Sequence, residues 1–219
     1  MKVMLVWSYQ SSKGIRTVFT SEYLHADQAI LLAADLEKTG RTKDIVFVDE
    51  QELSWTKKEF IRLTEEIAEE PHDVTAFFDG SFDLETLRAG AGAAIYYTQN
   101  NQKYRIRANQ ELDEMTSNNE AEYAAFWFLL QELEKLGVKG QQVEFRGDSQ
   151  VVLKQLAGEW PCYEESFVKW LDRIENKLAD LHIQASFFPL SRKDNEEADQ
   201  LASQAMNHIP VKSQLKLKG

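Results

Sequence analysis

The sequence predicts an α/β protein with a mixed five-stranded sheet and helices on both sheet faces, preceded by a small α+β domain. Short apolar runs separated by turn-forming residues, in the middle of the chain, indicate a three-strand antiparallel meander. Helical patterns that alternate with further strands follow, and this order favours parallel strands covered by helices on both faces. The acidic stretch "EEIAEEPHD" interrupts the pattern, so we expect a domain boundary between residues 72 and 73.

The first domain, residues 1–72, has the pattern strand, strand, helix, strand, helix. Its strands are predicted at "KVMLVWSY", "GIRTVFTS" and "DIVFVD", and its helices from about residue 25 to 38 and across "SWTKKEFIRLTEEIAEE". Gly40 is expected to end the first helix, Ser54 to cap the second and Pro71 to stop it. Two interpretations of this domain stay open, self-association and contact with a substrate.

The second domain, residues 73–210, begins with the meander "VTAFFDGSF", "AGAGAAIYY" and "KYRIRAN". A helix is predicted from about residue 117 to 136, followed by the strand "QQVEFRG" and a short helix "QVVLKQLAG". A longer helix over about residues 163–181, the strand "HIQASFFPL" and a final helix "EEADQLASQAMNH" complete the domain. The remaining residues, 211–219, lack periodicity and are expected to form a flexible tail.

Composition restricts the classes of protein to consider. Of the 219 residues, 43% are hydrophobic, which is enough for a buried core. We expect a cytoplasmic protein without membrane contact, because no apolar run approaches about 20 residues and the N-terminal stretch is too quickly polar for a signal peptide. The single cysteine, Cys162, excludes an intramolecular disulfide and a thiolate zinc cluster. A net charge of −11 argues against a protein that coats nucleic acid through bulk electrostatics, yet it is compatible with an enzyme that uses carboxylates and metal ions.

Two aspartates are expected where strands end at one rim of the sheet. Asp79 follows the apolar run "TAFF", and Asp148 follows "VEF" and precedes a helix. Ligand sites of α/β proteins are commonly built at such a rim. Taken alone, either aspartate is equally well explained as a turn residue or a helix cap.

The stretch "TSNNEAEYAAFWF" contains two glutamates that helix geometry separates. Glu120 and Glu122 differ by about 200° around a helix, so they face nearly opposite directions. Glu122 heads an unbroken apolar stripe, where an unpaired charge is costly, and we expect a cation beside it. Glu120 heads a stripe that becomes polar, and it is explained as an acid in the first helical turn.

A fourth acid, Asp199, lies in line with small and apolar residues of the last helix. Four carboxylates brought together repel one another unless a divalent cation lies among them. Oxygen ligands without histidine or cysteine suit Mg²⁺ or Mn²⁺ and make zinc a poor fit.

Four segments carry a family resemblance. In order along the chain, "FFDGS", "SNNEAEYAA", "RGDSQVV" and "DNEEADQLA" resemble the signature motifs of the type 1 ribonuclease H family, in particular its compact bacterial and archaeal branch. The resemblance covers residues 74–208, about two-thirds of the chain, and leaves the first domain outside it. It implies a ribonuclease H-like fold and an endonuclease that hydrolyses the RNA strand of RNA–DNA hybrids.

The resemblance also implies roles for particular residues. Asp79, Glu122, Asp148 and Asp199 match the family's catalytic acids, which hold two Mg²⁺ ions and give products with 5′-phosphate and 3′-hydroxyl ends. The matches to substrate-binding positions are Gly80, Ser117, Asn118, Asn119 and Gln150. Amide side chains both donate to and accept from the 2′-hydroxyls of a hybrid's minor groove. Helix capping is the alternative explanation for Asn118.

The sequence departs from the family pattern in two places. The loop "PLSRKDN" has no histidine before the last acid, and Arg192 or Lys193 is the candidate auxiliary residue there. The basic protrusion of some bacterial members is replaced by the short, acidic "LAGEWPCYEESFVKW". Slow turnover, a preference for Mn²⁺ and weak affinity are therefore expected, and a catalytically silent nucleic-acid-binding or regulatory protein stays the alternative. A 3′-to-5′ exonuclease is disfavoured because no acid lies two residues after Asp79.

Overall fold

The structure, a computed structural model, describes residues 1–218 and divides into two compact units that separate after Ile67. The strands are β1 (Lys2–Gln10), β2 (Arg16–Thr20), β3 (Leu24–His25), β4 (Thr42–Asp49), β5 (Ser54–Thr56), β6 (His72–Asp83), β7 (Arg88–Gln99), β8 (Gln102–Leu112), β9 (Gln142–Gly147), β10 (Gln184–Pro189) and β11 (Lys212–Lys216). The helices are α1 (Ala26–Lys38), α2 (Lys57–Glu69), α3 (Asn118–Leu136), α4 (Gln150–Leu156), α5 (Glu165–Asp180) and α6 (Glu196–Met206). Within this part of the chain, no helix combines the length and apolar character needed to cross a membrane.

The first unit is a small α+β fold with its own core. Its strands are arranged in the order β2-β1-β4-β5, and β3 pairs with the start of β1. Helix α1 contributes Ala29 and Ala33 to this core, and Phe60 of α2 stacks on Phe47 of β4 with ring centroids 4.5 Å apart. Because Ser54 lies in a short strand, the prediction that it caps α2 is wrong. Thr56 takes this place. Its backbone N–H and its hydroxyl both donate hydrogen bonds to the carboxylate of Glu59.

The second unit contains a mixed sheet with the strand order β10-β9-β6-β7-β8-β11. Strands β6, β7 and β8 form the predicted antiparallel meander, and β9 and β10 extend it as parallel strands. Helices α3 and α6 pack on opposite faces, as the tight approaches of Gly80 to Ala121 and of Gly92 to Ala198 require. This arrangement confirms the predicted fold class.

The long helix α3 supplies seven of the 25 buried residues of the main core. Phe126 lies edge-to-face on Phe78 of β6, with ring centroids 5.1 Å apart, and also contacts Phe145 of β9. Ser117 caps the N-terminus of the helix, and its hydroxyl accepts a hydrogen bond from the N–H of Glu120. Gly137 caps the C-terminus in the left-handed conformation. This burial anchors the N-terminal turn of α3 against the strands that carry two of the predicted acids.

The prediction of a flexible tail is wrong for residues 212–216. These residues form β11, which pairs antiparallel with residues 104–108 of β8 and makes the sheet six-stranded. All residues of this edge strand are exposed, so neither of its faces has to be apolar. The sequence therefore shows no apolar alternation there. Lys212 also lies 3.5 Å from the buried carboxylate of Glu132, which Lys135 contacts at 2.6 Å.

We predict that truncation after Pro210 destabilises the second unit, because it removes the β11 ladder and one cation beside Glu132. The melting temperature should fall by several degrees, corresponding to about 1–3 kcal/mol. The matched control is truncation after Leu217, whose N–H still donates to Lys103. Equal melting temperatures for the two truncated proteins would contradict a stabilising role for β11.

Candidate metal-binding active site

Three of the four predicted acids meet at one end of the central strands. Asp79, Glu122 and Asp148 each place a carboxylate oxygen within 4.8 Å of the other two. Asp79 and Glu122 are only 4% and 5% exposed, whereas Asp148 is half-buried. The cluster therefore joins residues from β6, α3 and the loop after β9, which are far apart in the sequence.

Asp79 lies inside β6 and not at its end, which corrects the expectation from the sequence. Strand β6 continues to Asp83, and Asp79 pairs with Gly92 of β7. The parallel ladder between β6 and β9 nevertheless ends two residues earlier, at the pair Phe77–Arg146. Asp79 consequently lies where β6 has lost its parallel neighbour, and this opening leaves room for the acidic cluster.

Gly80 fixes the distance between β6 and α3. A Cβ atom at this position would lie 2.3 Å from the backbone carbon of Ala121, so only glycine permits the observed approach. The N–H of Gly80 donates to Oε2 of Glu122 at 3.2 Å. Gly80 thus has a packing role that the sequence did not indicate, and it orients one carboxylate of the cluster.

Burial and mutual repulsion change the acidity of the cluster. Burial, followed by the charges of Asp148 and Asp199, raises the pKa of Asp79 to about 7. Burial, followed by the charges of Asp79 and Asp148, raises the pKa of Glu122 well above its ordinary value. Asp79 is therefore partly protonated near pH 7, and a cation in the cluster would favour its ionised form.

Asp199 lies in the first turn of α6 and is not one of the three clustered carboxylates. Its Oδ1 accepts a hydrogen bond from Arg192 at 3.2 Å, although the side chain of Arg192 is 83% exposed. The charge of Asp199 still raises the pKa of Asp79, so the two residues are electrostatic neighbours. Of the two candidate auxiliary residues, Arg192 contacts a predicted acid, and Lys193 is exposed beside it.

The predicted substrate-binding residues lie at the first turns of two helices. Ser117 caps α3, and Asn118 and Asn119 are exposed in its first turn, so capping is the role of Ser117 and not of Asn118. Gln150 is the exposed first residue of α4. The side-chain amides of Asn118, Asn119 and Gln150 are therefore exposed to solvent at the N-terminal ends of α3 and α4.

Glu120 has a structural role beyond a first-turn charge. Its Oε2 accepts hydrogen bonds from the backbone N–H of Thr116 at 3.0 Å and from the Thr116 hydroxyl at 2.6 Å. Burial opposes these bonds, but together they lower the pKa of Glu120. The two glutamates of this helix therefore have different surroundings, as helix geometry predicted.

Asn195 is a further residue of the site, and sequence reasoning gave it no role. It is 1% exposed, and its Nδ2 donates to Oδ1 of Asp148 at 3.3 Å. The sequence motif "DNEEAD" contains it, but an asparagine directly before a helix has the ordinary explanation of a cap. Only the packing of the 3-10 turn Arg192–Asn195 against β6 and β9 reveals the contact.

The sheet has this mixed strand order, with a long helix on one face, a second helix on the other and three clustered acids beside the central strands. These features define a ribonuclease H-like α/β protein. The sequence model of the reverse transcriptase-like family matches residues 77–205. The chain belongs to this family, and the matched residues form a segment similar to ribonuclease HI.

Two relatives are informative about the extent of the similarity. The chain is 43% identical over 208 residues to the uncharacterized protein YpeP of Bacillus subtilis (strain 168), covering 94% of this chain and 92% of that protein. It is 34% identical over 91 residues to ribonuclease HI of Halobacterium salinarum, covering 42% of this chain and 44% of the relative. The first match necessarily includes most of the N-terminal unit, so the similarity to YpeP extends over both units.

Solved structures resemble the second unit. The crystal structure of RNase H1 from Halobacterium salinarum NRC-1 has a TM-score of 0.53 and 27% identity, over 62% of this chain and 98% of that protein. LC11-RNase H1, solved in complex with an RNA/DNA hybrid, has a TM-score of 0.55 over the same shares, and at 22% identity it supports the fold alone. These likenesses confirm the ribonuclease H-like fold.

We predict a characteristic pH dependence for the metal-free protein. The folded-state pKa of Asp79, about 7, exceeds its ordinary value of 3.8, so the folded state retains a proton that the unfolded state has lost. Asp79 therefore contributes stability fully below pH 3.8 and loses this contribution as the pH rises through 7. In chelator at pH 8, Asp79→Asn should be more stable than wild type by on the order of 1–3 kcal/mol, and less so at pH 5.

The measurement is thermal or urea unfolding at pH 5 and pH 8 with a metal chelator. Asp83→Asn is the matched control, since Asp83 lies on the same strand, outside the cluster, and bonds to Thr86. A destabilised Asp79→Asn protein at pH 8 would contradict the proposed burial of an uncompensated charge.

Proposed function

We propose that the protein is a metal-dependent endonuclease that hydrolyses the RNA strand of RNA–DNA hybrids and leaves 5′-phosphate and 3′-hydroxyl ends. The observation that carries the proposal is the cluster of three carboxylates within 4.8 Å of one another, two of them buried and one half-buried, beside the central strands of a ribonuclease H-like sheet. Membership of the family supports ribonuclease H activity in general. One relative is named ribonuclease HI, and one structural neighbour was solved with an RNA/DNA hybrid.

The donor set fits Mg²⁺, with Mn²⁺ as the alternative ion. Asp79, Glu122 and Asp148 offer oxygen atoms only, and oxygen ligands suit these hard cations. The raised pKa values of Asp79 and Glu122 indicate that the site lacks positive charge from protein groups at its centre. Asp199 is proposed as the fourth ligand, available when Arg192 releases its carboxylate.

The contribution of the chain is to hold these carboxylates in place before substrate arrives. The Gly80 N–H holds an oxygen of Glu122, and the amide of Asn195 holds an oxygen of Asp148. Two divalent ions, when bound, would activate the attacking water and stabilise the leaving 3′-oxygen. A preformed arrangement lowers the reorganisation that accompanies the reaction.

Substrate recognition is proposed at the helix starts beside the acids. Asn118, Asn119 and Gln150 are exposed amides that would contact 2′-hydroxyls in the minor groove of the hybrid. The hydroxyl of Ser117 accepts the N–H of Glu120 and keeps its own hydrogen for a DNA phosphate. Gly80 is the remaining proposed substrate-binding residue, and its backbone would make the contact.

Two pairs of residues, Arg192 with Lys193 and Lys154 with Trp160, would assist binding of the hybrid. Arg192 and Lys193 are proposed as auxiliary contacts to phosphate, because both side chains are exposed beside Asp199. Lys154, in the last turn of α4, lies 4.8 Å above the ring of the half-exposed Trp160, which follows this helix. This pair occupies the place of the missing protrusion and offers one cation and one stacking surface, so affinity should be modest.

One observation favours a second candidate, a catalytically silent nucleic-acid-binding or regulatory protein. Arg192 neutralises Asp199, so the fourth acid already has a cation partner. A silent protein of this fold would need no metal ions between these acids. Measurement of cleavage separates the two candidates.

We predict cleavage of a labelled RNA–DNA hybrid in Mg²⁺ or Mn²⁺, with internal products and no cleavage of the DNA strand. Asp148→Asn should reduce the rate by at least on the order of 100-fold, because it removes a charged ligand. The measurement uses an end-labelled hybrid resolved on a denaturing gel, with a DNA duplex as the control substrate. No cleavage with either ion would favour the silent candidate, and cleavage by the variant at the wild-type rate would reveal a contaminant.

We further predict that the two glutamates of α3 respond differently to the same substitution. Glu122→Gln should abolish cleavage, because it replaces a carboxylate of the cluster. Glu120→Gln should keep the rate within about twofold of wild type, since Gln still accepts hydrogen bonds from Thr116 and Glu120 lies outside the cluster of acids. Equal losses for both variants, measured with matched unfolding curves, would overturn the assignment of Glu122.

A further inference from the structure

Asn195 is a buried polar residue at the junction of three elements. It ends the short 3-10 turn Arg192–Asn195, and it occupies the N-cap position of α6. Asparagine at an N-cap usually accepts a hydrogen bond from a helix N–H, but the side chain of Asn195 makes no such bond. Its amide is therefore directed to other partners.

The amide nitrogen of Asn195 joins two strands where their ladder has ended. Nδ2 donates to the backbone oxygen of Phe78 on β6 at 2.9 Å and to Oδ1 of Asp148 after β9 at 3.3 Å. The last parallel pair of these strands is Phe77–Arg146, so both acceptors lie just beyond the regular hydrogen bonds. The two hydrogens of one NH₂ group suit two acceptors that diverge from each other.

The oxygen of the same amide has no hydrogen-bond partner, although it is buried. An unpaired buried oxygen costs free energy, which the contacts of the NH₂ group must offset. A side chain that only filled the space between α6 and the sheet would need no amide. The arrangement instead favours a role for the two donated hydrogen bonds.

We infer that Asn195 is a positioning residue that fixes the rotation of the Asp148 carboxylate for metal binding. This inference rests on the proposed function, because it assigns Asp148 as a metal ligand. The Asp148 carboxylate lies on the half-buried loop after β9, and the amide of Asn195 donates to its Oδ1. The bond to Asn195 links its orientation to the backbone of β6, which carries Asp79 one residue after Phe78.

The test is a calorimetric titration in which Mn²⁺ or Mg²⁺ is added to the full chain and the metal affinity is measured. Asn195→Ala should weaken metal binding by about 10- to 100-fold, the range found when partners of metal ligands are removed. In an Asp148→Asn background the same substitution should change the affinity by less than about twofold, because the residue acts through Asp148. Asn207→Ala is the matched control, since Asn207 ends the same helix and bonds only to Ser203.

The outcomes separate the inference from the proposed function. Tight metal binding by wild type together with unchanged binding by Asn195→Ala would overturn the role of Asn195 and leave the function intact. An equal loss in both backgrounds would show a general effect on the fold and would also overturn it. Failure of the wild-type protein to bind either metal would overturn the proposed function and this inference together.

A measurement on the wild-type protein keeps the inference testable if Asn195→Ala does not fold. In protein labelled with ¹⁵N at asparagine, the two side-chain NH₂ signals of Asn195 should exchange slowly with solvent and shift when Mg²⁺ is added. The amide of Asn207 should do neither, because it is exposed. Side-chain signals of Asn195 that are insensitive to metal, in a protein that binds metal, would contradict the positioning role.

Discussion

The second unit is organised around one electrostatic constraint, the placement of three carboxylates within 4.8 Å of one another in a mostly buried position. Like charges at such distances repel strongly where the dielectric constant is low. The raised pKa values of Asp79 and Glu122 are the direct consequence. Such a cluster is retained at the cost of folding stability, and this is typical of sites that bind cations or perform catalysis.

Close backbone packing is what makes the cluster possible. Gly80 lets α3 approach β6, and Gly92 lets α6 approach β7, since a Cβ at Gly92 would lie 2.2 Å from the backbone oxygen of Ala198. The first contact brings Glu122 to the sheet, and the second brings Asn195 and Asp199 to it. The hydrophobic core then holds both helices, so the carboxylates cannot relieve their repulsion by moving apart.

The charges around the cluster explain how an acidic protein is compatible with a nucleic-acid substrate. The net charge is −11, and the helix starts beside the cluster offer exposed neutral amides and the cations Arg192 and Lys193. Local contacts to phosphate and sugar position a duplex, and bulk charge mainly sets the affinity and its dependence on salt. The pairing of Arg192 with Asp199 would couple this surface to the proposed metal site, since one guanidinium would be shared between an acid and a substrate phosphate.

The sequence alone determined the fold class and the order of the main elements, because strand alternation, helix periodicity and ordered motifs are local patterns. It also pointed to four acids, of which Asp79, Glu122 and Asp148 meet in the structure. Helix geometry also separated Glu122 from Glu120, since a rotation of about 200° depends only on spacing. Tertiary structure decided the rest. The tail forms a sheet strand because β8 has an edge to pair with, and Asn195 has partners 47 and 117 residues away because its 3-10 turn packs against β6 and β9. Such contacts depend on which elements meet in space, and no local pattern records them.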